Sequence, residues 1–233
     1  MAKSTRLRNL LKKVDLFAPL KNKQLEILSK MASIKSYKRN ETILSENDHS
    51  RQSFFIIAKG QVKVYISGID GKEAILALLG EGGFFGEMSL LDGEPRSASV
   101  KAVKSSQLVL IRREDFLAEI KKHQELSMIL LVEMSQRIRR ADKQISSLAL
   151  MSVYGRIAGT LLQIMKEQGK TIRLIDDSVV TVIRKRPSQQ QLADMSGTTR
   201  ETVSRALHHL QKKGFIALSG KDIYIFQESA LRG

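Results

Sequence analysis

The sequence of 233 residues contains no cysteine. That absence excludes disulfides, Cys-ligated zinc or iron–sulfur centres and a thiol nucleophile, and it points to a reducing, cytoplasmic compartment. No apolar run approaches the roughly 18 residues of a membrane span. Residues Met1 to Lys13 carry charge but no apolar stretch leading to a small-residue cleavage site, so an unexported chain with no membrane partner is expected. Acidic residues are scarce, 24 against 39 Lys and Arg, for a net charge of +15. Such a deficit favours polyanionic partners, nucleic acid first. It deepens toward the C-terminus: residues 1–136 carry a net +6, the shorter 137–233 a net +9. The length suits one large domain or two modest ones, each able to bury a core.

Leu20, Leu25, Ile27, Leu28 and Met31 lie close to one face of a short helix over Pro19 to Met31. From Ile34 to Arg113, short apolar runs (Phe54 to Ala58, Val62 to Ile66, Ala74 to Leu79, Leu108 to Ile111) alternate with glycines, the pattern of an antiparallel β barrel or sandwich. Between Glu114 and Gly155 there is neither Gly nor Pro, which predicts one long helix. Heptads from Leu131 place Leu131, Ile138 and Ile145 on one seam line and Met134, Ala141 and Leu148 on the other. A dimer seam is the expectation, with packing on its own barrel the alternative reading. Ile157 to Met165 reads as a further helix, and Thr171 to Ile183 as a strand or hairpin.

Pro187 breaks the preceding element, and Ser188 with Gln191 matches a capping box that starts a helix. Gly197 permits a sharp turn. Thr198 with Glu201 repeats the capping pattern ahead of a helix buried through Val203, Leu207, Leu210 and in part Ala206, which makes a helix-turn-helix. Arg200, Glu201, Ser204 and Arg205 occupy the first two turns of the second helix, where Arg matches a guanine edge and Glu accepts from cytosine N4. The alternative roles are a cap partner for Glu201 and a solvated face for the arginines. Phe215 to Leu218 and Ile223 to Phe226 then read as a two-stranded wing. His49, His123, His208 and His209 are too scattered for a metal site.

The segment Gly82 to Ala98 contains a second constellation. Glycines let backbone N–H groups approach an anion, Arg96 offers a fork to phosphate, Ser97 adds a hydroxyl, and Glu87 can accept from a sugar hydroxyl. Together they describe a ribose phosphate pocket. Gly80-x-Gly82 lacks the third glycine of a dinucleotide fingerprint, Phe85 standing in its place, and no helix pattern follows a strand there, which argues against a Rossmann site.

The run from Ser188 to Leu207 resembles the DNA-binding signature of the cyclic AMP receptor protein/FNR family of bacterial transcription regulators, and Gly82 to Ala98 resembles that family's phosphate-binding cassette. The resemblance covers nearly the entire chain. It implies an α+β fold with a lead-in helix, an eight-stranded cyclic-nucleotide-binding β-barrel (jelly roll), a long dimerisation helix and a C-terminal winged helix-turn-helix, with domains at 1–113, 114–152 and 153–233. It implies that Gly86, Glu87, Met88, Arg96, Ser97 and Ala98 hold the nucleotide, that Ala141 and Asp142 stand where the purine is met, and that Ser188, Gln189, Gln190, Thr198, Thr199, Arg200, Glu201, Ser204 and Arg205 face double-stranded DNA with half-sites close to TGTGA. RNA polymerase is the further partner it implies. Four positions depart from the family pattern. Ala141 and Asp142 replace adjacent Thr and Ser, Ser45 replaces a turn glycine, and Gln189 replaces a frequent arginine. The iron–sulfur and thiolate-haem branches need cysteines, so no haem, cluster or metal is expected.

The leading expectation is a homodimeric regulator whose DNA affinity is controlled by a cyclic nucleotide, cyclic AMP first, bound between barrel and long helix. A ligand-independent DNA binder of the same family, and a regulator responding to cyclic GMP or a cyclic dinucleotide, are the alternatives. A cyclic phosphodiesterase would need a metal cluster or an acid and base pair, and Glu87 alone is insufficient. With no GxSxG, HExxH or Walker lysine either, no enzyme is expected.

Overall fold

Glycine-punctuated apolar runs between Ser33 and Arg112 fold into eight strands in the computed structural model, which describes residues 2–12, 14–18, 20–49, 53–173 and 179–231. The chain divides into two compact units, residues 1–138 and 139–233.

In the first unit the strands are β1 (Ser33–Tyr37), β2 (Thr42–Leu44), β3 (Ser53–Lys59), β4 (Val62–Ser67), β5 (Glu73–Leu79), β6 (Phe84–Phe85), β7 (Ser99–Ala102) and β8 (Ser106–Arg112). They form two four-stranded antiparallel sheets, ordered β1-β8-β3-β6 and β2-β7-β4-β5. β3 explains why four consecutive apolar residues make a strand. Phe55 and Ile57 enter a core with Tyr37, Leu44, Val62, Phe85, Val100 and Leu108, drawn from both sheets, while Phe54 and Ile56 enter a second core built with the helices. A strand buried on both faces carries no polar alternation. In the second core Phe54 stacks on Phe116 at 4.2 Å and 13°, with Phe17 edge-on at 6.3 Å. Each such ring contributes about 1.5–3 kcal/mol by leaving water.

Leu7, Leu11, Leu25 and Leu28 of α1 (Ala2–Leu11) and α2 (Asn22–Met31) complete that core. α1 has no counterpart in the sequence reading. Pro19, where the lead-in helix was expected to begin, lies outside the described residues, and α2 starts at Asn22. A six-residue helix, α3 (Glu87–Asp92), follows β6.

The single helix expected from Glu114 to Gly155 is two, α4 (Arg113–Lys122) and α5 (Gln124–Leu150), and the further helix expected over Ile157 to Met165 is α6 (Val153–Gln168). Side chains, not Gly or Pro, make the breaks. His123 leaves helical geometry at φ −129°, ψ 93°, and its ring lies 2.9 Å from the Gln24 amide and 3.4 Å from the Glu119 carboxylate. Ser152 turns extended and its hydroxyl accepts from the Gly155 N–H, capping α6. Leu126 and Leu130 bury the start of α5, while Leu131, Ile138, Ile145 and Leu148 of the heptad lines are 50–64% exposed. Met134 is half-buried and Ala141 exposed.

The second unit contains α6, β9 (Lys170–Arg173), β10 (Val179–Ile183), α7 (Gln189–Ser196), α8 (Arg200–Lys212), β11 (Ile216–Ser219) and β12 (Asp222–Ile225). β9 and β10 pair antiparallel, which decides for the hairpin between the strand and hairpin expected there; residues 174–178 lie outside the described residues. The wing is not two-stranded: β10 pairs with β12, giving one sheet ordered β11-β12-β10-β9. Ile183, Ile223 and Ile225 share a core with Ile157, Leu161, Leu192, Val203 and Leu207, so burial of the β-branched run draws β10 onto the wing.

Candidate functional site and nucleic-acid interface

β6 delivers the chain into Gly86, whose φ of +86° and ψ of 6° lie in the left-handed region. A Cβ there would stand 2.9 Å from the Ser53 carbonyl oxygen and 3.1 Å from Arg96 Nη1, so glycine is required on two counts. Glu87 opens α3 and is 1% exposed. Its Oε1 accepts from Arg137 Nη1 at 2.7 Å, and its Oε2, fully buried, has no hydrogen-bond partner among the described residues. Burial pushes the carboxyl above the ordinary glutamate range, and the Arg137 guanidinium offsets only part of that.

Arg96 is 3% exposed, and its fork donates to the Gly86 carbonyl at 2.9 Å and the Ser53 carbonyl at 3.3 Å. Its backbone is fixed as well: its N–H donates to Asp48 O at 3.2 Å, and its carbonyl accepts from Asn47 N–H at 2.9 Å. Ser97 and Met88 are exposed, with the Ser97 hydroxyl 3.6 Å from the Met88 sulfur, and Ala98 is buried. The six cradle residues expected from the sequence thus lie at the N-terminal end of α3 and on the approach to β7.

Arg137 is the residue the sequence reading missed. From α5 it donates to Glu87, to Glu133 at 3.0 Å and to the Phe84 carbonyl at 2.9 Å, and its guanidinium lies 5.0 Å from the Phe84 ring centroid. The Glu133/Arg137 spacing of i, i+4 was the available signal. A polar helix residue off the apolar seam does not otherwise announce which neighbour it faces. Ala141 and Asp142 follow on α5, both exposed, and among the described residues Asp142 makes no hydrogen bond or ion pair.

In the second unit Ser188 caps α7 through the expected box: its hydroxyl accepts from Gln191 N–H at 3.1 Å, and its own N–H donates to Gln191 Oε1 at 2.9 Å. The cap of α8 is displaced by one residue from the expected Thr198, for Thr199 accepts from Thr202 N–H at 3.3 Å. Gly197 has already closed α7 at φ +59°, and Thr198 N–H turns back to Ala193 O at 3.0 Å, so the extended Thr199 takes the cap of α8. The Glu201 carboxylate is therefore released from the expected cap role. Arg200, Glu201, Ser204 and Arg205 are exposed, while Val203, Ala206 and Leu207 on the opposite face are buried. Thr199 and Gln190 are exposed as well, and Gln189 and Thr198 half-buried. Arg205 donates to the Thr202 hydroxyl at 3.3 Å.

The cyclic nucleotide-binding domain family matches residues 34–123, and the Crp-like helix-turn-helix domain family matches residues 155–233. The chain is 32% identical over 216 residues to the cyclic AMP receptor protein of Thermus thermophilus, covering 93% of this chain and 94% of that one. Among solved structures, FixK2 from Bradyrhizobium japonicum has the same fold at a TM-score of 0.73 and 23% identity, covering 86% of this chain and 95% of that one. The c-di-GMP responsive global regulator CLP of Xanthomonas campestris superposes at a TM-score of 0.68 and 24% identity, covering 89% of this chain and all of that one. Among the described residues no helix is long and apolar enough to cross a membrane.

Proposed function

The chain belongs to the cyclic AMP receptor protein/FNR family, whose members are transcription regulators and not enzymes, and from that premise we propose that it is a homodimer whose DNA affinity is set by a cyclic nucleotide, cyclic AMP first. The observation that carries the ligand reading is the buried Glu87 carboxylate, one oxygen of which has no partner, beside Gly86 and Arg96. An unpaired acceptor in a dry site is costly, and a ribose hydroxyl would satisfy it. In this reading the N–H groups around Gly86 and Met88, the Arg96 fork and the Ser97 hydroxyl hold the phosphate, with Ala98 closing the wall. Arg137 then links Glu87 to α5. Ala141 and Asp142 meet the base. A carboxylate matches the adjacent N1–H and N2–H₂ of guanine better than the single amino group of adenine, which keeps cyclic GMP and a cyclic dinucleotide as alternatives, while similarity to a cyclic AMP receptor protein puts cyclic AMP first.

The exposed apolar line Leu131, Ile138, Ile145 and Leu148 supports dimerisation through α5, since such a stripe is marginal until covered. Two-fold symmetry would set recognition helices about 34 Å apart, on successive major-groove faces. There Ser188, Gln189, Gln190, Thr198 and Thr199 position the backbone, and Arg200, Glu201, Ser204 and Arg205 read half-sites close to TGTGA. A cytoplasmic location and contact with RNA polymerase follow from the same reading.

A ligand-independent DNA binder is the second reading. It is favoured by one observation: Arg137 already neutralises Glu87, and the Arg96 fork already has carbonyl acceptors. Titration calorimetry of the full chain with cyclic AMP, cyclic GMP and cyclic di-GMP separates the two, followed by operator binding with and without the nucleotide that binds. Saturable binding of one nucleotide per chain that tightens operator binding is expected. Operator binding of full strength with no nucleotide bound would favour the second reading.

A further inference from the structure

Arg156, half-buried in the first turn of α6, belongs to neither set of residues discussed above. Its guanidinium donates to three backbone carbonyls: Nε to Ser196 at 2.9 Å, Nη2 to Gly197 at 3.1 Å, and Nη1 to Met151 at 3.2 Å. Ser196 is the last residue of α7, Gly197 is its left-handed cap, and Met151 directly follows α5. The final carbonyls of a helix lack intrahelical donors and carry the negative end of its dipole. One planar fork therefore satisfies the ends of two helices at once. A lysine, with a compact charge, keeps the sign but cannot reproduce that geometry.

The turn that Arg156 grips is tight on its other sides. The Thr160 hydroxyl lies 2.9 Å from the Ser196 hydroxyl, and a Cβ on Gly197 would stand 2.9 Å from Leu148 Cδ2 at the end of α5. α8 begins at Arg200, three residues beyond Gly197, so a shift of the turn carries Arg200, Glu201 and Arg205 with it as one body.

We propose that Arg156 is a positioning residue for sequence recognition: by fixing the turn between α7 and α8 against the end of α5, it sets where the reading side chains stand, so that its loss costs discrimination between operator and random DNA. The inference rests on the reading of α8 as the recognition helix. Attraction to phosphates depends on charge and tolerates small displacements, whereas bidentate contacts with base edges need distance and angle together.

The test uses the full chain with saturating cyclic AMP, a duplex enriched by the wild-type protein from a random pool, and a scrambled duplex of the same composition. Arg156→Lys retains the charge. It should weaken binding to the enriched duplex about tenfold, as loss of charge-assisted bonds implies, and leave the scrambled duplex within about twofold. Arg156→Met should lose more on the enriched duplex; if it fails to fold, the lysine variant alone decides. A stabilising role without positioning would lower the melting temperature of both variants while the ratio of the two affinities stays at the wild-type value, and that result overturns the proposal. Arg205→Ala is measured beside them. If it lowers the ratio and Arg156→Lys does not, the positioning role alone fails. If neither lowers it, the reading of α8 fails and the proposal with it.

Discussion

The cradle of the first unit and the α8 face of the second put the same residue types to opposite uses. In the cradle, Glu87 and Arg96 are almost without solvent, and both already bond within the protein. On α8, Arg200, Glu201 and Arg205 stand in water, placed by the backbone that carries them and, for Arg205, by a bond to the Thr202 hydroxyl. A buried charge gains strength from a low dielectric, and every lone pair left unmet there is costly, as at Glu87 Oε2. An exposed charge has no such cost, and its selectivity comes from placement. The cradle should therefore fail through loss of a group, and the α8 face through loss of register.

The largest expected effect tests the assembly that both regions share. Ile138→Glu places two carboxylates against each other in the proposed seam. It should convert dimer to monomer in sedimentation and abolish operator binding at concentrations where the wild type is saturated; an intact dimer would remove the seam from α5. Next comes Arg96→Leu, which deletes the only cation of the cradle sequence Gly82–Ala98. Nucleotide binding should fall by at least about a hundredfold in calorimetry, since a charge-assisted fork is about twice as strong as neutral hydrogen bonds. Melting should fall too, because the Gly86 and Ser53 carbonyls lose their donor. Unchanged nucleotide affinity would end the contrast drawn here.

Arg205→Ala should cost about 1 to 3 kcal/mol on the enriched operator and relax preference at one G·C pair, as measured by competition with single-base variants. An equal loss on every duplex would make Arg205 a phosphate contact. The smallest effect concerns Glu87. Its carboxyl is raised, so the folded state holds that proton more tightly than the unfolded chain does. The associated stability is full below the ordinary glutamate range and is lost as pH rises through the raised value. Glu87→Gln, neutral throughout, should melt above the wild type at neutral pH, and the gap should close as pH falls below the ordinary glutamate range. A gap independent of pH would show that the charge is not what the site resists.

Much of the architecture is legible in the residues. The apolar runs of β3, β4, β5 and β8 lie within a residue or two of the observed strands, and the Ser188 box caps α7 as its spacing requires. What escaped is non-local or depends on a competing local bond. No pattern in Val179–Ile183 reveals that its partner lies more than 40 residues on at Ile223–Ile225. Ser152 and His123 interrupt a sequence that every helix propensity would continue, because a side-chain cap and a tertiary contact outweigh propensity at single residues. Arg137 was hidden for a related reason: heptads sort apolar from polar, and the barrel behind a polar position is invisible to them.

β3 has a consequence for the birth of the molecule. Its two hydrogen-bonding neighbours, β6 and β8, both lie later in the chain, the second ending at Arg112. During synthesis the Phe54–Ile57 segment therefore leaves the ribosome with neither flank available, and it waits for more than 50 further residues. At ordinary elongation rates that is about 3–10 seconds in which an uncharged, strongly β-prone stretch lacks at least one native flank, and both until β6 emerges. The two-sided burial that makes β3 the keystone of the finished sandwich makes it the nascent chain's most exposed liability, and the segment on which a chaperone has most reason to act.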